Sequence, residues 1–188
     1  GGTSGSRVNS GARYNPATDT WLPTSTGANA PAARIGHAAV WTGSRMIVWG
    51  GDTSSSQNNT GGQYDPATDR WRRREAMPTP RGALSVCVAG GAIYVIGGQG
   101  MGGRDSGAHE VFDPAAGTWS RRASLPMPRN HLAAASLGPQ VVAFGDQLTD
   151  AAMLEWAGLG VAVANADPRA LAAADVVTSS NDDDGVAI

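Results

Sequence analysis

Two carboxylates near the C-terminus have a spacing that suits a divalent metal ion. Asp146 comes just after the apolar stretch at 141–144, and Asp150 stands four residues further on. A buried strand there would leave Asp146 at the carboxyl edge of an α/β sheet, where such sheets bind ligands. Mg²⁺ prefers oxygen ligands of this kind. The pattern therefore predicts a magnesium site, with a helix N-cap as the alternative role for Asp150.

The histidines and the single cysteine form no catalytic pattern. His37, His109 and His131 are widely separated in the sequence, which does not indicate a metal site, and His37 is expected to be structural. Cys87 lies within the apolar residues 84–89, so we expect a buried, unreactive thiol. No catalytic residue is assigned from these positions.

All 14 basic residues other than histidine are arginines, because the chain has no lysine. This excludes Schiff-base chemistry and a Walker-type phosphate loop. Arginines at 70, 72, 73 and 74 surround Trp71 and could form an anion-binding edge. Alternate side chains of a strand face opposite sides of a sheet, which favours a solvated outer strand instead. A net charge of −2 does not indicate a nucleic-acid partner.

The composition changes near residue 140. Residues 1–140 carry 13 Arg and 8 acidic residues, whereas residues 141–188 carry one Arg and 8 acidic residues. Glycine and proline are concentrated in the first part, and alanine in the second, which indicates strands and turns followed by helices. We therefore expect domains at 1–140 and 141–188. No apolar stretch is long enough for a membrane span, and the absence of an initiator methionine suggests a piece of a longer sequence.

The first part repeats with a period near 50 residues. An aromatic residue, an Asn or Asp and a proline recur, each time followed by a tryptophan. The three copies are Tyr14-Asn15-Pro16 with Trp21, Tyr64-Asp65-Pro66 with Trp71, and Phe112-Asp113-Pro114 with Trp119. Apolar stretches ending in paired glycines recur at 47–51 and 95–98, and arginines recur at 34, 81 and 129. Such a period is typical of one four-stranded propeller blade per repeat.

Residues 1–140 resemble kelch-repeat proteins in these motifs. The resemblance implies a mainly β fold, an incomplete kelch β-propeller with two full blades, at 34–76 and 81–124, plus partial blades at either end. The three tryptophans are expected at equivalent, mostly buried positions. Loops at one end of a propeller usually hold the ligand. The stretches 52–62 and 99–107 leave equivalent strand ends and are candidate ligand loops, with flexible turns as the alternative.

Residues 141–188 resemble the C-terminal end of Cof-type phosphatases of the haloacid-dehalogenase superfamily. The resemblance covers Val141–Asp146, the helical stretch around Met153, Leu154 and Ala157, and the final Asp184-Gly185-Val186-Ala187. It implies a short α/β segment of Rossmann-like type, with Asp146 as a Mg²⁺ ligand and Asp150 as its support. Thr149 stands where the family usually has Asn.

A phosphatase of that family needs further motifs that this sequence does not supply. The family nucleophile is an Asp in an Asp-x-Asp-Gly-Thr-like motif after an apolar strand. The stretch Asp182-Asp183-Asp184-Gly185-Val186 resembles it but follows the polar residues 178–181, so we expect an exposed acidic turn.

Three hypotheses about function remain. The leading one is a non-catalytic kelch-repeat binding or scaffold module that takes a protein or carbohydrate ligand on its loops. The second is a Mg²⁺-dependent phosphatase for sugar-phosphate-like substrates, of which only the metal-binding motif is present. The third is a chimeric or artefactual fusion with no selected activity. The kelch part suggests an extracytoplasmic location and the phosphatase part a cytoplasmic one. Open blade edges predict self-association.

Overall fold

The computed structural model describes residues 6–53, 56–138, 140–145, 154–155, 159–180 and 182. The side chains of residues 142–145 are not described. Within these limits the chain is mainly β, as predicted, and the repeat period corresponds to separate antiparallel sheets.

Two four-stranded antiparallel blades account for the two full repeats. The first consists of β3 (Ala38–Trp41), β4 (Met46–Trp49), β5 (Gly61–Asp65) and β6 (Arg70–Arg74). The second consists of β7 (Ser85–Ala89), β8 (Ala92–Ile96), β9 (His109–Asp113) and β10 (Thr118–Arg121). Their order follows the sequence, so each blade is a simple meander. The short apolar stretches become the inner strands of the blades because their length suits buried strands.

A two-stranded hairpin precedes these blades. It pairs β1 (Ala12–Asn15) with β2 (Thr20–Pro23) and places Tyr14 opposite Trp21. The same pairing occurs between Tyr64 and Trp71 in the first blade and between Phe112 and Trp119 in the second. The hairpin is therefore the outer half of a blade, as the sequence predicts.

The recurring turn has the predicted construction. The side-chain oxygens of Asn15, Asp65 and Asp113 each accept a hydrogen bond from the backbone N–H two residues later, at 2.8–2.9 Å. This local bond, together with the fixed φ of proline, sets the turn that joins the two outer strands. One later position of each turn has positive φ, namely Asp19, Asp69 and Gly117.

The three aromatic pairs have nearly identical geometry. The ring centroids of Tyr14–Trp21, Tyr64–Trp71 and Phe112–Trp119 lie 5.0–5.1 Å apart, with interplanar angles of 40–48°. The predicted equivalence of the tryptophans is thus confirmed. The predicted burial is wrong for Trp21, which is 66% exposed, because the hairpin lacks the inner strands of a blade.

The C-terminal part forms a mixed sheet that joins the two sequence types. The strands are β11 (Ala133–Leu137), β12 (Gln140–Gly145), β13 (Leu159–Val163) and β14 (Val176–Thr178). β12 pairs antiparallel with β11 and parallel with β13, which in turn pairs parallel with β14. Helix α1 (Pro168–Ala173) forms the crossover between the last two strands. The kelch-like hairpin thus carries two parallel strands where a kelch blade has an antiparallel outer pair.

One hydrophobic cluster joins the mixed sheet to the second blade. Ile96 and Leu125 come from the kelch repeat, while Leu154, Ala162 and Ala170 come from the C-terminal part. Leu154 is fully buried, which agrees with its place in the predicted apolar stripe, whereas Met153 and Ala157 lie outside the described residues.

The chain divides into two compact units. The first contains Gly1–Ala83 and Gly100–Arg104, and the second contains Leu84–Gln99 and Asp105–Ile188. Among the described residues, no helix has the length and apolar character needed to cross a membrane.

Candidate functional site

The two candidate ligand loops begin and end with the same hydrogen bond. After β4, the Gly50 N–H donates to the Thr60 carbonyl at 3.3 Å, and after β8, the Gly97 N–H donates to the Ala108 carbonyl at 2.9 Å. Both glycine pairs have positive φ, at 69° and 87° for Gly50 and Gly51 and at 61° and 109° for the later pair. A side chain is disfavoured at these positions.

The recurring arginines lie at the bases of these loops. Arg34 is buried, and its guanidinium donates to the carbonyl oxygens of Ala32, Gly50 and Thr60 at 2.8–3.0 Å. Burial lowers its pKa from the ordinary value. Arg81 and Arg129 are buried too, and their carbonyls accept from the second glycine of the two pairs, Gly51 and Gly98. The arginines therefore fix where each loop leaves its blade.

Replacing Arg34 with alanine is expected to destabilise the chain by about 3 kcal/mol, because three carbonyls would lose their donor. Arg45→Ala is the control, since its exposed side chain forms a surface ion pair with Asp65 at 3.1 Å. Its removal should cost less than about 1 kcal/mol. Urea unfolding of both variants measures the difference, and equal losses would show that Arg34 does not hold the loop.

The loop after β4 meets the tip of the loop after β8 at one pocket. The pocket has a volume of about 320 Å³ and lies within the first compact unit. It is lined by Asp52, Thr53, Ser56, Gln57, Met101 and Gly102. A β-bridge between Asp52 and Gln57 fixes one wall, and a short 3₁₀ turn at Met101–Gly103 forms the other.

Two side chains give the pocket its chemical character. The Oε1 atom of Gln57 is buried and meets no hydrogen-bond donor among the described residues. Met101 is 73% exposed, an unusual amount of apolar surface for a methionine at a loop tip. The pocket thus offers one free acceptor beside an adaptable apolar group. The sequence indicated the two loops but not these residues, since only folding brings the loops together.

The other candidate residues have structural roles. Cys87 is buried on β7, and burial raises the pKa of its thiol to about 11, so the prediction of an unreactive thiol is confirmed. His37 is half-buried, and burial together with the nearby Arg34 lowers its pKa. His109 is buried, with Nδ1 3.3 Å from the Ala123 carbonyl. His131 is exposed beside Asn130.

The arginine-rich strand β6 is the outer strand of its blade. Arg70, Arg72 and Arg73 are exposed, and Arg74 lies 3.8 Å from Glu75. A solvated outer strand, as favoured from the sequence, agrees with these exposures.

The predicted metal ligands cannot be located in the fold. Asp146, Thr149 and Asp150 lie outside the described residues, as do Asp183 and Asp184. Among the residues described, no group of His, Cys, Asp or Glu could hold a metal ion. Two described carboxylates of this segment cap the backbone: Asp175 accepts from the Gly160 N–H at 2.8 Å, and Asp167 caps α1.

The antiparallel blades, their shared turn and the paired glycines define kelch-type β-propeller blades, followed by an α/β segment. Residues 1–155 match the model of the KLHDC2/KLHL20/DRC7 Kelch-repeats domain. This match covers most of the chain, which therefore belongs to the kelch-repeat family. Residues 137–188 match the model of the haloacid dehalogenase-like hydrolases.

Curated relatives resemble the C-terminal segment alone. A "Putative phosphatase" of Haemophilus influenzae is 51% identical over 49 residues, 26% of this chain and 19% of that protein. The stress response protein YhaX of Bacillus subtilis is 57% identical over 47 residues, 25% of this chain and 16% of that protein. The pyridoxal phosphate phosphatase YbhA of Escherichia coli is 51% identical over 47 residues, 25% and 17% respectively. The chain spans less than a fifth of the length of these relatives.

Proposed function

We propose that the chain is a non-catalytic kelch-repeat binding module whose ligand, a protein or a carbohydrate, sits at the loops after β4 and β8. The observation that carries this proposal is the meeting of these loops at one pocket. Loops held on a rigid β scaffold are where binding residues concentrate. The repeat places the loops at equivalent strand ends, and the arginine at 34 holds the base of the first.

The chemistry of the pocket supports a ligand that brings a hydrogen-bond donor and an apolar surface. Gln57 supplies the acceptor, and Met101 supplies a flexible thioether that adapts to the shape of a partner. Peptides and sugars both combine these two features. A buried acceptor without a donor costs free energy, so filling it on binding contributes to affinity.

A second candidate is a Mg²⁺-dependent phosphatase, favoured by the identity of the C-terminal segment to phosphatases. Under this hypothesis Asp146 holds the metal and Asp150 supports it. We favour the binding module because the sequence supplies no nucleophile motif. We also propose that the division near residue 140 separates the two origins of the chain.

The binding proposal is tested by selecting ligands on the immobilised full chain from a displayed peptide library and a glycan panel. Ligands retained by the chain should bind the double variant Gln57→Ala/Met101→Ala at least about ten-fold more weakly, a loss of about 1.4 kcal/mol. The control is Arg72→Ala, which removes an exposed side chain on β6 and should leave binding unchanged. Failure to retain any ligand, or equal binding by both variants, would contradict the proposal.

A further inference from the structure

The inner edge of the hairpin β1–β2 lacks the neighbour that both complete blades have. Tyr14 is 46% exposed, whereas the equivalent Tyr64 and Phe112 are 3% and 0% exposed. In the complete blades these aromatic residues are covered by the second strand, β4 or β8. The half-blade therefore leaves uncovered a surface that the same repeat buries elsewhere in the chain.

The backbone of this edge is open to a further strand. The Thr24 N–H donates to the Gly11 carbonyl at 2.9 Å, so the alternation of an antiparallel ladder turns the polar groups of Ala12 and Tyr14 away from β2. Pro23, which has no N–H, pairs with Ala12 at a position that needs none. The edge thus offers two N–H groups and two carbonyls.

The size of the missing neighbour can be deduced from the complete blades. In the first, Trp49 pairs with Gly61, and a Cβ on Gly61 would lie 2.1 Å from the indole. In the second, the smaller Ile96 pairs with the larger His109. Gly11 holds the position of Gly61, and a Cβ there would meet only Thr24 Oγ1, at 3.1 Å. The edge therefore has room for a large aromatic side chain opposite Gly11.

Two grooves beside β1 have the shape and charge for such a strand. They measure about 230 and 360 Å³ and lie between β1 and the face of β3 and β4. Trp41, 54% exposed, lines the larger groove. Arg13 lines it too, and its buried Nε meets no acceptor among the described residues, although another guanidinium nitrogen donates to the Pro66 carbonyl. This cation favours an occupant with an acidic or carbonyl oxygen at that level.

We propose that the β1 edge is a docking surface for an antiparallel β-hairpin of kelch type, supplied by another polypeptide segment. Its adjoining strand is apolar, carries an aromatic residue opposite Gly11, and supplies an oxygen acceptor to Arg13. The site is separate from the ligand loops, so this inference stands independently of the proposed function. The same edge accounts for the self-association that open blades predict.

The probe is a fluorescently labelled, solubility-tagged peptide of residues 37–51, which contains the hairpin β3–β4 and its two glycines. Anisotropy with the full chain is expected to show saturable binding. A peptide with Trp49→Ala should bind at least about ten-fold more weakly. The chain variant Gly11→Val should reverse this order, because its side chain fills the space for the indole.

The backbone is tested by Ala12→Pro, which removes an edge donor without breaking the β1–β2 ladder. It should reduce peptide binding at least about ten-fold, whereas Arg73→Pro, on the outer edge of β6, should not. Unchanged thermal midpoints establish that the variants are folded, and the size exchange at Gly11 gives the second readout. Saturating peptide should also reduce self-association in sedimentation. Absence of binding, or a peptide preference that Gly11→Val does not change, would overturn the proposal.

Discussion

Replacing Gly61 with valine is expected to destabilise the chain by about 3–5 kcal/mol. A Cβ at this position lies 2.1 Å from Cδ1 and Nε1 of Trp49, so the indole has to leave its site. Trp49 is 1% exposed, and its Nε1–H donates to the Glu75 carbonyl at 3.0 Å. Displacing it loses both the burial and the hydrogen bond, which is comparable to truncating a large core aromatic residue.

The matched control is Gly11→Val, at the equivalent position of the half-blade. There the new Cβ meets only Thr24 Oγ1, a hydroxyl that can rotate away, so the cost should stay below about 1 kcal/mol. Urea unfolding followed by tryptophan fluorescence measures both variants. Similar destabilisation at the two positions would mean that the contact between strands two and three does not distinguish a complete blade from a half-blade.

The blades could be predicted from the sequence because several local signals agree. Strands β3 and β4 have the predicted bounds, since their apolar residues are flanked by turns and paired glycines. The turn that begins at Asp65 needs no distant contact, because its carboxylate bonds the backbone two residues on. Local chemistry of this kind is present in the sequence itself.

The contacts between segments could not be predicted in the same way. The pairing of Trp49 with Gly61 depends on a register across a loop, and neither residue is distinctive alone. The pocket requires Met101 to approach the loop that contains Gln57, more than forty residues away. Strand β14 was not predicted, because its short apolar stretch becomes a strand only by pairing parallel with β13.

The mixed sheet gives a physical role to the phosphatase-like segment that does not involve catalysis. β12 presents an edge that, in a kelch blade, pairs with an antiparallel third strand. Here β13 takes that edge in parallel and extends the core around Leu154 and Ala162. Covering an edge strand protects it from pairing with other chains. The segment therefore stabilises the end of the repeat whether or not it binds a metal ion.

The chain is expected to hydrolyse no phosphate ester at a useful rate. Turnover of the haloacid-dehalogenase type needs a nucleophilic Asp and a cation that stabilises charge on the phosphoryl group. The sequence contains no nucleophile motif after an apolar strand, and it contains no lysine. Loss of a nucleophile removes several powers of ten in rate, even where Asp146 binds Mg²⁺.

The assay of the full chain with p-nitrophenyl phosphate and a panel of sugar phosphates, in Mg²⁺, tests most directly whether the protein binds rather than catalyses. We predict no turnover above the background of buffer and metal. A residual rate that is the same in the variant Asp146→Ala would identify a contaminating enzyme and agree with this prediction. Turnover by the chain that Asp146→Ala abolishes would contradict the account and identify the protein as a phosphatase.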